Sequence, residues 1–184
     1  VVQGADEGES VGAGPHGVPR LSPSLRLSGH RSCAARQRHP QYGARRRELL
    51  MALSEDELAE ARAVITRALD EDLRYGPDVT TLATVPADAS TTASMVAREP
   101  GVIAGSEIAL MVLDEVLGAD GYRVEHRVPD GTRLDAGGVA LVIEGQTRGL
   151  LTAERTMLNL VCHLSGIATT TAAWVDAVSG TVDP

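Results

Sequence analysis

Arg155 is the residue whose type and setting most directly offer chemistry. It lies in the run LLTAERTMLNLVCHLSGIATTT, Leu150 to Thr171. Thr152 reads as a helix N-cap, with Glu154 in the first turn where the dipole favours a carboxylate. A cation in that same turn opposes the dipole by about 0.3–1 kcal/mol. Free backbone N–H groups with an added guanidinium make an anion site. The structural alternative is an ion pair from Arg155 to Glu154 or a neighbouring strand, and the residues alone leave both readings open.

The helix that carries Arg155 has two distinct faces. At about 100° per residue, Ala153, Met157, Leu160, Val161 and Leu164 form an apolar stripe. Arg155, Asn159, Cys162 and Gly166 line up opposite. A merely solvated face would carry Glu, Lys or Gln, whereas Gly admits a close backbone, so this second face is also expected to meet protein or ligand. Ser165-Gly166-Ile167 is expected to break the helix, with a further one built on Ala172, Val175 and Val178 and ended by Gly180. His163, beside that break, is read as a helix-end hydrogen bonder.

The elements upstream must position this helix. Ser54 and Glu57 make a capping box before a helix that buries Leu58, Ala61, Ile65 and Leu69 and stops at Gly76-Pro77. Asp78, Thr80 and Thr81 follow as a loop that caps its own backbone. That reading is preferred to a metal site shared with Asp70, Glu71 and Asp72. Thr91 to Arg98 alternates as a strand, and Val102 to Ala104 is a short apolar segment. Ser106 is expected to cap a helix running to Leu117, with Gly118 as its stop. Tyr122 to Val128 and Val139 to Ile143 are further strands, separated by the turn Pro129-Asp130-Gly131.

Several of these pieces together resemble one family, the quinolinate phosphoribosyltransferases. The pieces are EDLRYGPDVTT from Glu71, REPGVIAG from Arg98, VPDGTRLDAGGVALVIEG from Val128 and LTAERTMLNLVCHLSGIAT from Leu151, in the family's order. The resemblance implies an α+β fold: the N-terminal helix/strand sandwich domain of a two-domain enzyme, with the C-terminal α/β barrel almost wholly missing from this chain. The expected domains are 1–50, a disordered Arg/Gly/Pro-rich extension; 51–164, the N-terminal domain; and 165–184, the start of the barrel domain.

The implied activity is transfer of phosphoribosyl from phosphoribosyl pyrophosphate to quinolinate, with decarboxylation. The products are nicotinate mononucleotide, pyrophosphate and CO2, on the de novo route to NAD. Such chemistry needs cations around two carboxylates, a phosphate and a Mg²⁺-bound pyrophosphate, and carboxylates near an oxocarbenium-like ribose. By the resemblance, only Arg155 carries over as a substrate-binding residue, reaching into the neighbouring subunit of a homodimer. No catalytic residue or metal ligand is assigned to this chain. Mg²⁺ is expected to arrive with the donor and to be held mainly by the barrel.

Composition narrows the remaining classes. All 17 basic residues are Arg, Phe is absent, and the formal charge is −8. Residues 1–50 hold eight Arg against four acids, and 51–184 hold nine against 21. An acidic body argues against nucleic-acid binding, which depends on neutralising phosphates. No run approaches the roughly 18 apolar residues of a membrane helix. Cys33 and Cys162 have neither metal nor disulfide spacing, and a cytoplasmic setting is expected. Residues 1–50 show no hydrophobic period, and Met51 reads as the true start.

The segment from Val128 to Gly145 also resembles biotinyl and lipoyl carrier repeats, but a carrier needs a lysine and the sequence has none. Two alternatives to the transferase are a non-catalytic dimerisation or interaction module and a related transferase-like protein linked to molybdenum transport.

Overall fold

The structure, a computed structural model, describes residues 23–32, 54–76 and 78–179. Six strands and four helices follow in the order β1 (Pro23–Ser32), α1 (Glu55–Asp72), α2 (Val79–Thr84), β2 (Ala89–Ala97), β3 (Gly101–Val102), α3 (Ser106–Leu117), β4 (Tyr122–Arg127), β5 (Arg133–Leu134), β6 (Val139–Gln146), α4 (Thr147–Val178). The main sheet runs β1-β2-β6-β4, antiparallel throughout, and β3 pairs β5 in a separate small ribbon. Mixed helix and sheet in this arrangement is the expected α+β fold.

The core lies where α3 and α4 cover the sheet. Met95 on β2 and Leu141 and Ile143 on β6 meet Val112, Leu113 and Met157 from the helices, all essentially inaccessible. Two glycines allow the close contacts. A Cβ on Gly149 would lie 2.6 Å from Leu117 Cδ2, so α3 and α4 touch there as only glycine permits. Gly105, at φ 88°, takes a left-handed conformation while Leu164 of α4 packs 2.7 Å from where its Cβ would be.

Local chemistry explains the element ends. Ser54 and Glu57 form the expected capping box: the Ser54 amide donates to Glu57 Oε2 at 2.8 Å and the Glu57 amide to Ser54 Oγ at 3.3 Å. Asp78 caps α2, accepting from the amides of Thr80 and Thr81, each at 3.1 Å. The backbone capping expected of Asp78 is what the fold uses, but Thr80 and Thr81 lie within helix α2 and not in the expected loop.

Several expectations are corrected. The extension 1–50 is not wholly without structure, since Pro23–Ser32 pairs along β2 with Pro23 opposite Ala97 and Ser32 opposite Ala89. Only Leu25 and Leu27 alternate in that strand, too short a pattern to read. The unpaired edge of β2 supplies the missing stabilisation, and Pro23 sits at the strand's first residue where an absent N–H matters least. The rest of 1–50, with the expected start at Met51, lies outside the described residues, as does Gly180.

Thr152 is not an N-cap. Helix α4 begins a turn and a half earlier, at Thr147, and Thr152 Oγ1 donates to the Arg148 carbonyl at 2.9 Å inside it. The helix starts there because strand β6 ends at Gln146 and Arg148 is anchored at once, its guanidinium donating to the carbonyls of Val85 (2.8 Å) and Leu82 (3.0 Å).

Nor does the chain break at Ser165. One helix of 32 residues runs through the expected domain boundary between 164 and 165. A lone Gly costs a helix only about 1 kcal/mol, and Ser165 and Thr169 are gripped from outside by the β3 segment. The amide of Ala104 donates to Ser165 Oγ and that of Val102 to Thr169 Oγ1, both at 2.9 Å. His163 consequently does not sit at a helix end. It is exposed in mid-helix and makes no hydrogen bond to a described residue.

Ser106 does not cap α3. Gly105 takes the N-cap position without a side chain to offer, and the cap comes from the distant turn: Asp130 accepts from the amides of Gly105 (2.6 Å) and Ser106 (3.0 Å). Ser106 Oγ is buried and has no partner among the described residues.

Candidate functional site

Arg155 stands in the third turn of α4, on the face turned away from the core. Ala153 and Met157 of the apolar stripe, two residues to either side of it, are completely buried, which fixes the orientation of the helix and sends Arg155 outward. Its side chain is 76% exposed, and its closest ionic contact is from Nε to Asp72 Oδ1 of α1, at 3.3 Å. The proposed location at a helix N-terminus is thus corrected: with α4 starting at Thr147, the dipole neither opposes Arg155 nor adds backbone N–H groups to it. The two readings left open by the sequence resolve partly toward an ion pair, with Asp72 rather than Glu154 as partner. An ion pair so exposed contributes little to stability and leaves the guanidinium available.

The rest of the outward face is uneven. Asn159, one turn along, is exposed, whereas Cys162 is half-buried and burial pushes its thiol up, away from the reactive thiolate. No described residue lies within 4 Å of a Cβ placed on Gly166, so the close approach expected there does not occur among the described residues. Glu154 is half-buried, and desolvation raises its pKa.

Beside this face, two adjoining grooves of about 450 and 350 Å³ lie between α1, α2, α3 and α4 and share Leu73, Arg148 and Thr152. Asp70 and Glu115 line the first and Asp78 the second. Arg148 is committed to the α2 carbonyls, so the grooves present acids and apolar walls, which repel a dicarboxylate. Arg155 lines neither. The arrangement therefore offers an outward-facing guanidinium without an enclosing pocket of its own. Among the described residues no group of three His, Cys, Asp or Glu is placed to hold a metal. No described helix is long and apolar enough to cross a membrane.

Sequence reasoning missed Asp72 as the partner of Arg155. The signal was a carboxylate at the very end of α1, where the helix dipole disfavours it.

Comparison with known proteins meets this geometry at several points. The family described as "Quinolinate phosphoribosyl transferase, N-terminal domain" matches residues 78–165, a span that includes Arg155. A "Nicotinate-nucleotide pyrophosphorylase [carboxylating]" of Mycobacterium leprae is 67% identical over 129 residues, covering 70% of this chain and 45% of the relative. The chloroplastic counterpart of Oryza sativa is 38% identical over 118 residues, 64% of this chain and 31% of that protein. Among solved structures, NadC from Streptococcus pyogenes superposes with a TM-score of 0.60 at 35% identity, over 69% of this chain and 44% of that one. The nicotinate-nucleotide pyrophosphorylase from Francisella tularensis gives 0.59 at 28% identity, over 65% and 41%. The chain spans less than half the length of these relatives. On sequence and on fold, the chain is similar to the N-terminal part of these proteins, over the residues that the quinolinate phosphoribosyltransferase N-terminal family matches.

Proposed function

We propose that the protein serves phosphoribosyl transfer from phosphoribosyl pyrophosphate to quinolinate, with decarboxylation to nicotinate mononucleotide, pyrophosphate and CO2 in de novo NAD synthesis. The observation that carries this reading is the family match across 78–165, which includes an arginine whose guanidinium is turned outward. Arg155 binds a quinolinate carboxylate through paired N–H donors, which hold the ring in a fixed orientation. With its side chain 76% exposed among the described residues, Arg155 acts in a site completed by a neighbouring subunit of a homodimer. The Mg²⁺ belongs to the pyrophosphate of the donor and is held outside the described residues. We assign the protein to the cytoplasm. The second half of α4, from Ser165 to Val178, forms the arm that leads toward the barrel domain.

A second reading rests on a specific feature of that arm. Ile167, Trp174, Val175 and Val178 are each more than half exposed along the second half of α4, an apolar surface suited to an interaction module. The two readings separate in one experiment. A chimaera joining this chain to the remaining residues of the Mycobacterium leprae relative is incubated with carboxyl-labelled quinolinate, phosphoribosyl pyrophosphate and Mg²⁺. Release of labelled CO2 supports the transferase; a folded, dimeric but inert chimaera supports the interaction module.

A further inference from the structure

We infer that Asp72 is a positioning residue for Arg155: it engages the Nε edge of the guanidinium so that the terminal amino pair faces the substrate carboxylate. The inference rests on Arg155 being the quinolinate contact proposed above.

Three observations converge on Asp72. It is the last residue of α1, where unpaired carbonyls and the dipole disfavour an anion, and no basic residue in that turn compensates. Its side chain is only 22% exposed, yet it accepts no hydrogen bond from a described residue, and its ionic partner among them is Arg155. A carboxylate kept in so poor a local setting serves something other than its own helix.

The third observation is which nitrogen it meets. Among the described residues, Arg123, Arg127 and Arg133 form their ion pairs through a terminal amino nitrogen; Arg133 Nη2 lies 2.8 Å from both Asp176 oxygens. Arg155 differs, with Nε as its nearest atom, and neither Nη hydrogen-bonds a described residue. The guanidinium is planar with its five donors in a fixed fork, so a carboxylate held at Nε leaves the separate Nη1–Nη2 edge at the end of the side chain open. That edge has the spacing to take a second carboxylate with two parallel hydrogen bonds. The partly buried partner anchors, and the exposed one presents. Such a contact orients a long, flexible side chain before substrate arrives, which lowers the ordering cost of binding.

The test uses two preparations. In the full 184-residue chain, nitrogen-edited NMR follows the Nε–Hε resonance of Arg155, assigned by its loss in Arg155→Lys. Asp72→Asn is expected to shift that resonance, and Asp72→Glu to restore part of the shift. In the active chimaera, Asp72→Asn is expected to raise KM for quinolinate about threefold, in line with a partly exposed ion pair, with kcat and the KM for phosphoribosyl pyrophosphate unchanged. An unmoved resonance overturns the inference. So does an unchanged quinolinate KM in Asp72→Asn when Arg155→Ala raises it. If Arg155→Ala itself leaves that KM unchanged, the substrate reading falls and takes the role of Asp72 with it, even where the resonance has moved.

Discussion

The hydroxyl of Ser165 takes the place of a strand partner for Ala104. Its Oγ accepts from the Ala104 amide at 2.9 Å and donates to the Ala104 carbonyl at 3.1 Å, and Thr169, one turn on, receives the Val102 amide at the same 2.9 Å. Helix α4 thereby completes the hydrogen bonding of the β3 segment. Ser165→Ala leaves both Ala104 groups unpaired and should destabilise the chain by about 1–3 kcal/mol. Thr169→Val, which keeps the shape and removes the hydroxyl, should cost less but in the same direction. Urea denaturation followed by circular dichroism measures both, and no change in midpoint would show that the hydroxyls are passengers.

Asp130 is the cap of a helix that starts 24 residues before it. Asp130→Ala should lower stability by about 1 kcal/mol, the usual worth of an N-cap. Asp130→Asn should retain part of the stability: the Gly105 and Ser106 amides bind different Asp130 oxygens, so the one oxygen of Asn can keep one of the two contacts. Equal losses in the two variants would mean that the charge, rather than the cap, matters.

Two carboxylates respond to pH in opposite senses. Burial raises the pKa of Glu154, so its ionised form opposes folding. Glu154→Gln should therefore stabilise the chain at neutral pH, and the gain should fade as pH drops through the raised pKa and wild-type Glu154 takes up its proton. Glu57 behaves the other way. Hydrogen bonding from the Ser54 backbone and side chain lowers its pKa, so its contribution is present above the ordinary carboxylate range and is lost as pH falls through the depressed value. Thermal melts of Glu154→Gln and Glu57→Gln across acid to neutral pH should diverge toward neutrality, Glu154→Gln melting above wild type and Glu57→Gln below it. A Glu154→Gln curve that lies below wild type at neutral pH contradicts the assignment.

Much of the fold was readable because it is written locally. The Ser54–Glu57 cap, the Asp78 cap, the alternation around Met95 and the stripe through Ala153, Met157 and Val161 each depend on neighbours in the chain. What escaped depends on partners far away. Strand β1 borrows its order from β2, α3 is capped by Asp130, and α4 passes through Ser165-Gly166 because β3 holds its hydroxyls. For the site, Arg155 could be singled out by residue type and resemblance, but its electrostatic setting could not. Moving the helix start from Thr152 to Thr147 removed the dipole from the argument, and the contact with Asp72 spans two helices.

The central claim is that Arg155 grips quinolinate from across a subunit boundary. It is tested most directly by quinolinate affinity in the active chimaera, measured per folded dimer. Arg155→Ala should weaken quinolinate by about 1.5–3 kcal/mol, the worth of a charge-assisted hydrogen bond, and weaken phosphoribosyl pyrophosphate less. Arg155→Lys should recover only part, since an ammonium cannot form the paired contact. Mixed with a variant defective only in the barrel pocket, Arg155→Ala subunits should regain activity, because each hybrid dimer holds one complete site. An unchanged quinolinate affinity in folded, dimeric Arg155→Ala would contradict the account and leave Arg155 as the surface ion-pair partner of Asp72.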